Sequence, residues 1–366
     1  MADAPSKAIC YATPPLTHHP DGRERRVGIE LEFAGLDTRA VLNAIKETLG
    51  GVIVEASPTR GEVRETPHGD FHVELDSTLL KERSYAEALK RIGLDVDNDP
   101  TLAKAEELVL RAARELVPME VASPPIPISK LAELDVLWSR LRALGAQGTH
   151  AAWRYAFGLH FNPEVADETA HGVLSHLKAF LLLEAWLVQQ GRTDATRRIA
   201  PYIKPFPKEY RSLVLSTDYW PAWPSLIADY LSFNPTRDRP LDLLPLFAHV
   251  DATAVEGRVE NAHLIKPRPT FHYRLPNSDV DREGWSPAAE WNRWLLVEKL
   301  AVDRPELTEL SRRFIQSRAG VSLTDPWPGE IQQWVERKAA SGEAQAVSTP
   351  GQGRTEACRG QAATSR

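Results

Sequence analysis

The chain has 366 residues, enough for one large domain or two smaller ones, and its 42% apolar residues, with ten Trp, supply a substantial core. A net charge of −6 provides no basic field of the kind that holds nucleic acid or an acidic membrane surface, so neither is an expected partner. The two cysteines, Cys10 and Cys358, lie in terminal segments and do not make a disulfide framework; the N-terminus lacks a basic-then-apolar signal pattern, and a reducing cytoplasm is the expected setting.

Residues 1–24 are rich in Pro, His and charge and read as a disordered tail. The strand Arg26–Phe33 follows, with Val27, Ile29, Leu31 and Phe33 on one face and Glu30 and Glu32 on the other. Asp37 caps a helix through Val41, Ala44, Ile45 and Leu49, which Gly50-Gly51 ends. Val52–Val54 is a short strand. Phe71–Asp76 is another, placing His72, Glu74 and Asp76 together. Thr101–Leu116 carries a helical apolar stripe. Glu120 ends a short extended stretch before Pro124-Pro125. Ser129 opens a helix through Leu144, stopped at Gly145. Phe157–Asn162 is a strand with His160 and Asn162 on one face.

Glu168–Gln190 is a helix apolar nearly all round, hence central to the core; its run Ala179–Val188 carries Glu184 and is too short to span a bilayer. Residues 201–245, full of Pro and Trp, read as short helices joined by turns and as the source of substrate specificity. Thr270–Leu275 is a strand with His272 and Arg274 together, and Pro287–Val302 an apolar helix. From Ala339 the composition becomes Ser, Gly, Gln, Ala and Arg, a second disordered tail over 339–366, which leaves 25–338 as the catalytic domain. The class is α+β, with an antiparallel or mixed sheet that has one face under helices.

The polar faces carry the chemistry. Half-buried strands usually turn Thr, Ser and Lys outward; these turn Glu, Asp, His and Arg, the side chains that hold hard cations and phosphates. Glu30 and Glu32, side by side, repel unless a divalent cation offsets the cost. Gly28 between them and the strand start marks a close approach of a ligand or another backbone. Arg274 offers a planar fork for phosphate or carboxylate. Singly, each motif also suits a plainer role: a solvated edge strand, a structural histidine, a counter-ion for the glutamates. Together they point to a site built on a sheet. No phosphate-binding glycine loop, nucleophile elbow or H-E-x-x-H is present, so metal–phosphate chemistry is favoured over nucleophilic catalysis.

These segments resemble a family. Val27-Gly28-Ile29-Glu30-Leu31-Glu32-Phe33 is similar to the G-[IV]-E-x-E-F opening of the amidoligases, carboxylate–amine ligases related to glutamate–cysteine ligase and glutamine synthetase. Glu74-Leu75-Asp76-Ser77, Glu120-Val121-Ala122-Ser123-Pro124-Pro125, Gly158-Leu159-His160-Phe161-Asn162 and Thr270-Phe271-His272-Tyr273-Arg274-Leu275-Pro276 resemble its later motifs in order, over roughly residues 26–302. The resemblance implies a funnel-like, mainly antiparallel sheet with helices on its outer face. It implies a reaction in which ATP activates a small-molecule or peptide carboxylate as an acyl phosphate that an amine attacks. It also implies a site. Glu30, Glu32, Asp76, Glu120, His160 and His272 would hold Mg²⁺, or Mn²⁺ in its place; Glu32 and Arg274 would be catalytic. Lys266, Arg268 and Arg274 would bind the nucleotide, and Glu74, Ser123 and Asn162 the substrates.

One residue departs. Where the family carries Glu two residues before its Arg, this chain has His272, which removes a negative charge and favours softer ions than Mg²⁺. Two other readings stay open. One is a catalytically weak relative that binds nucleotide or an amino acid. The other is a metal-dependent hydrolase built on His72, Asp76, His160 and His272. Oligomeric state leaves no signal in the sequence.

Overall fold

The computed structural model describes residues 9–75, 118–149, 157–191, 203–259, 262–318 and 326–340. Asp76 and the expected helix Thr101–Leu116 lie outside them.

The alternation read in the sequence organises a mixed α+β fold around a nine-stranded sheet in which every pairing is antiparallel. The strands are β1 (Arg26–Phe33), β2 (Val52–Ser57), β3 (Arg60–Thr66), β4 (Gly69–Leu75), β5 (Met119–Ala122), β6 (Ile126–Pro127), β7 (Leu159–Pro163), β8 (Leu241–Asp242) and β9 (His272–Tyr273). Their order is β2-β3-β4-β5-β1-β7-β9-β8, with β6 also pairing β1. In β1, Val27, Ile29, Leu31 and Phe33 are fully buried.

Ten α-helices are described. They are α1 (Thr38–Leu49), α2 (Asp135–Ala143), α3 (Ala170–Gln190), α4 (Lys208–Leu215), α5 (Trp223–Phe233), α6 (Leu244–Val250), α7 (Ala252–Val255), α8 (Ala288–Val302), α9 (Arg304–Arg318) and α10 (Trp327–Ala340). The Asp37 carboxylate accepts the Ala40 N–H at 2.8 Å and starts α1; Gly50, at φ +79°, ends it. α1 packs on β2, β3, β4 and α2, while α3 packs on α4, α8, α9 and α10. The inner faces of sheet and helices share one apolar cluster that includes Trp138, Trp291 and Trp294.

Several expectations change. β3 was not legible, because Arg60-Gly61-Glu62-Val63-Arg64-Glu65-Thr66 offers one strongly apolar residue. It forms because β2 and β4 pair with it and because Gly61 admits α1; a Cβ there would stand 2.7 Å from Leu42 Cδ1. The segment opening at Ser129 begins as a 3₁₀ turn over Ile128–Leu134, and the α-helix starts at Asp135. The last strand shortens to His272–Tyr273. At 21 residues the whole of α3 is long and apolar enough to cross a bilayer, although its central run alone is not, and most of its side chains are buried in the core. Ala339 and Ala340, assigned to the second tail, complete α10.

Residues 9–24, expected as a tail, strap the domain. The Ala12 N–H donates to Asn292 Oδ1 at 2.8 Å, and its carbonyl accepts Trp291 Nε1–H at 2.9 Å. Where the strap meets β1, Arg25 makes two 2.9 Å bonds to Glu298 of α8, with both side chains 1% exposed. Trp294 Nε1–H donates to the same carboxylate at 2.8 Å. Burial alone would raise the Glu298 carboxyl; Arg25 outweighs it and holds the carboxyl below its ordinary range.

This pair sets a stability test. Glu298→Gln leaves Arg25 buried without a counter-charge and should cost about 3–5 kcal/mol in urea unfolding, while the double change Arg25→Met with Glu298→Leu should recover most of it. Because the folded carboxyl titrates below its unfolded value, its stabilisation is full above the unfolded pKa and disappears as pH falls through the folded one. A single mutant as stable as wild type would show that the strap is not held by this pair.

Candidate active site

Register places the polar side chains. Glu30 of β1 stands opposite His160 of β7, and Glu32 opposite Glu120 of β5. Glu120 also stands opposite Glu74 of β4. Phe161 pairs with Tyr273 on the apolar side, so His160 and Asn162 share the polar side with His272 and Arg274. His272 in turn stands opposite Asp242 of β8. An all-carboxylate row of Glu32, Glu120 and Glu74 results, and beside it a mixed row in which Glu30 and His160 are joined by His272 and Asp242 from the next register over.

Glu30 is the centre of the mixed row. Its Oε2 lies 3.0 Å from His160 Nδ1 and 3.4 Å from His272 Nε2. Its Oε1 accepts from Asn162 Nδ2 at 2.9 Å and lies 3.6 Å from Arg268 Nη2. Arg268 donates to Asn162 Oδ1 at 2.8 Å, so Asn162 clips the carboxylate to the guanidinium. A Cβ at Gly28 would stand 3.4 Å from Asn162 Cβ, an ordinary contact. Glu32 is fixed by the Gly158 N–H, which donates to Oε2 at 2.6 Å, and its Oε1 lies 3.8 Å from His160 Nε2.

Burial shapes the charges. It would raise the Glu30 carboxyl, but the His272 and His160 rings hold it well below the usual carboxylate range. Burial pushes His160 down to about 3 against the pull of Glu30, so at neutral pH the pair is a carboxylate beside a neutral imidazole. Neither ring nitrogen of His272 has a hydrogen-bond partner, although the ring is 4% exposed. A buried polar atom left unpaired costs about 1–3 kcal/mol, so these nitrogens call for a partner such as a water or an ion.

Two residues of the cluster were not singled out from the sequence. Asp242, fully buried, spends Oδ1 on the Leu244 N–H at 2.9 Å and turns Oδ2 to His272 Nδ1 at 3.7 Å. Arg237 lies close enough to the site for Asp242, Arg274, Glu30 and Arg268 all to act on it; burial, the largest effect, lowers its pKa. Arg274 donates to the Arg237 carbonyl at 2.5 Å. The only sequence signal for Asp242 was an acid inside the apolar run Pro240-Leu241-Asp242-Leu243-Leu244.

Other expected residues stand apart. His72 is exposed and 3.3 Å from Glu62 Oε1, which leaves the hydrolase reading without one of its ligands. Glu74 is half-exposed, 4.0 Å from Arg60. Ser123 Oγ accepts the Ile29 N–H at 2.9 Å and donates to the Pro124 carbonyl, extending the β5–β1 pairing by one residue, up to the prolines. Lys266 is exposed and makes no polar contact with the cluster among the described residues.

Over residues 23–296 the chain matches a family described as putative amidoligase enzyme. No curated protein and no solved structure matches it.

The geometry sets the sign of the site's pH response. His160 titrates lower folded than unfolded, so between about pH 6.5 and 3 the unfolded chain takes up a proton that the folded one refuses. Glu30, held low, adds stability that is lost over the acid side of that window. Stability should therefore fall on acidification from pH 6.5, and His160→Asn should flatten the profile in a pH series of urea midpoints. An equal slope in wild type and variant would mean the imidazole is not buried neutral.

Proposed function

Because the chain belongs to the putative amidoligase family, we propose that it is an ATP-dependent ligase that joins a small-molecule or peptide carboxylate to an amine. The observation that carries the reading is the meeting of an acidic row with Arg237, Arg268 and Arg274 beside one half-buried sheet face. Arg237 Nε and Arg268 Nε are buried without a hydrogen-bond partner, and Arg274, bonded to the Arg237 carbonyl, brings a third guanidinium beside them, which suits an anion with several oxygens. We also read the antiparallel sheet as the funnel of the glutamine synthetase and glutamate–cysteine ligase type. Nucleic acid and membrane have no part in this reading, and its proposed setting is the cytoplasm.

The reaction divides into two steps. A substrate carboxylate oxygen attacks the γ-phosphorus of ATP, the bond to the ADP oxygen breaks, and an acyl phosphate forms. The amine nitrogen then attacks the acyl carbon, expels inorganic phosphate and loses a proton. In this chain Arg268 and Arg274 hold phosphoryl oxygens, with Arg237 held beside Arg274 through its carbonyl. Lys266 meets the nucleotide from the exposed approach to β9. Glu32, fixed by the Gly158 N–H, and Glu120 opposite it form an all-oxygen set that fits Mg²⁺. Bound there, Mg²⁺ would neutralise charge on the phosphate oxygens. The mixed row does not fit a Mg²⁺ cage, because two of its donors are imidazole nitrogens.

Incubation with ATP and pools of carboxylates and amines, with mass detection of adducts and of ADP, tests the reaction. Glu32→Gln should abolish adduct formation with unchanged folding, and Arg274→Lys should lower kcat at least tenfold while moving the KM for ATP less. ATP-independent products, or full activity in Glu32→Gln, would sink the reading.

A further inference from the structure

The mixed row supports a more specific statement about its ion. Ligand atoms about 2.1 Å from one metal stand about 3.0–3.4 Å apart in octahedral or tetrahedral arrangement. Glu30 Oε2 is 3.0 Å from His160 Nδ1 and 3.4 Å from His272 Nε2. One ligand atom from each of Glu30, His160 and His272 lies within 4.8 Å of the others. The outward nitrogens repeat a second pattern. His160 Nε2 faces Glu32 Oε1 at 3.8 Å, and His272 Nδ1 faces Asp242 Oδ2 at 3.7 Å. Each imidazole thus has Glu30 on its inner side and another carboxylate on its outer side. Metal-bound histidines give the distal N–H to a carboxylate that fixes tautomer and ring plane, and here a carboxylate stands on that side of each ring, a few tenths of an ångström beyond hydrogen-bond distance. A purely structural histidine pair has no need of unbonded nitrogens on His272 or of an unbonded Asp242 Oδ2, and all three atoms are buried.

We propose that Glu30, His160 and His272 bind a divalent transition ion in preference to Mg²⁺, and that Asp242 is the positioning residue that orients His272 toward it. Two imidazoles and one carboxylate form a donor set that Mg²⁺, a hard ion reluctant to shed its water, takes poorly and that Mn²⁺ through Zn²⁺ take well. The set is separate from the carboxylates of Glu32 and Glu120, so the sheet face presents two metal positions of unlike chemistry. The inference rests on the ligase reading only for the site's being catalytic; the binding itself follows from the geometry.

The test needs neither ATP nor substrate. Full-length protein, without an affinity tag and stripped with chelator, is titrated with Zn²⁺, Mn²⁺ and Mg²⁺ separately by calorimetry, with elemental analysis after dialysis. Co²⁺ absorption serves as the spectroscopic signature of nitrogen ligation. We expect one transition ion per chain, bound at least 100-fold tighter than Mg²⁺. Asp242→Asn should weaken it about 10–100-fold with the Co²⁺ bands shifted. His272→Glu should narrow the gap between Mn²⁺ and Mg²⁺. Urea midpoints of the metal-free variants separate folding defects from ligation; should Asp242→Asn fail to fold, His272→Gln carries the test. Equal affinity for Mg²⁺ and the transition ions, or a Zn²⁺ affinity unchanged in His272→Gln, overturns the proposal. Metal binding without adduct formation would remove the ligase reading and leave this one standing, and adduct formation with Mg²⁺ alone on a site that binds no transition ion would do the reverse.

Discussion

A strand can turn only every second side chain to one face, and β1 is where this constraint governs the molecule. With Val27, Ile29, Leu31 and Phe33 locked into the core, Glu30 and Glu32 have no other face to occupy. β1 pairs with β5, β6 and β7, so the constraint passes to its neighbours through register. A slip of one residue would bury both glutamates among the tryptophans of α8 and expose the core of the sheet.

That arrangement has an electrostatic cost, met locally. Burial alone would neutralise Glu30, yet two imidazoles, an amide and a guanidinium hold it charged. The same solution appears at a distance from the site, where Glu298 keeps its charge by meeting Arg25. That pair joins the start of β1 to α8, so the strand that carries the acids is fixed at its entry by a second buried charge. The alternative, a paired apolar substitution, would leave β1 less tied to the strap of residues 9–24.

Much of this was legible in the residues. Asp37 and Gly50 marked the ends of α1 because capping is local chemistry. His160 and His272 could be placed on the polar side because their apolar neighbours fixed the parity of each strand. β3 was not legible, since its residues carry little strand preference and sheet neighbours supply the reason for its existence. The resemblance makes Ser123 a candidate substrate contact, while the fold shows its hydroxyl bonded to the Ile29 N–H and the Pro124 carbonyl, contacts that depend on β1 lying alongside. His72 has the right parity and the wrong place, because parity says which face a residue is on and nothing about how far across the sheet it lies.

Periodicity and caps are set by covalent geometry within a few neighbours, so the order of residues alone tells which side chains face the core and which face the site. The sequence also contained the ordered motifs by which residues 23–296 belong to their family. Which polar residues meet is settled by the folded sheet. Asp242 and His272 are thirty positions apart, and nothing local relates them until β8 and β9 pair. The strand order that puts β7 between β1 and β9 brings Glu30, His160 and His272 to one point and leaves His72 at a distance from it. Contacts of this kind depend on register between distant segments, which is settled by the packing of the whole core and not by any one stretch of chain.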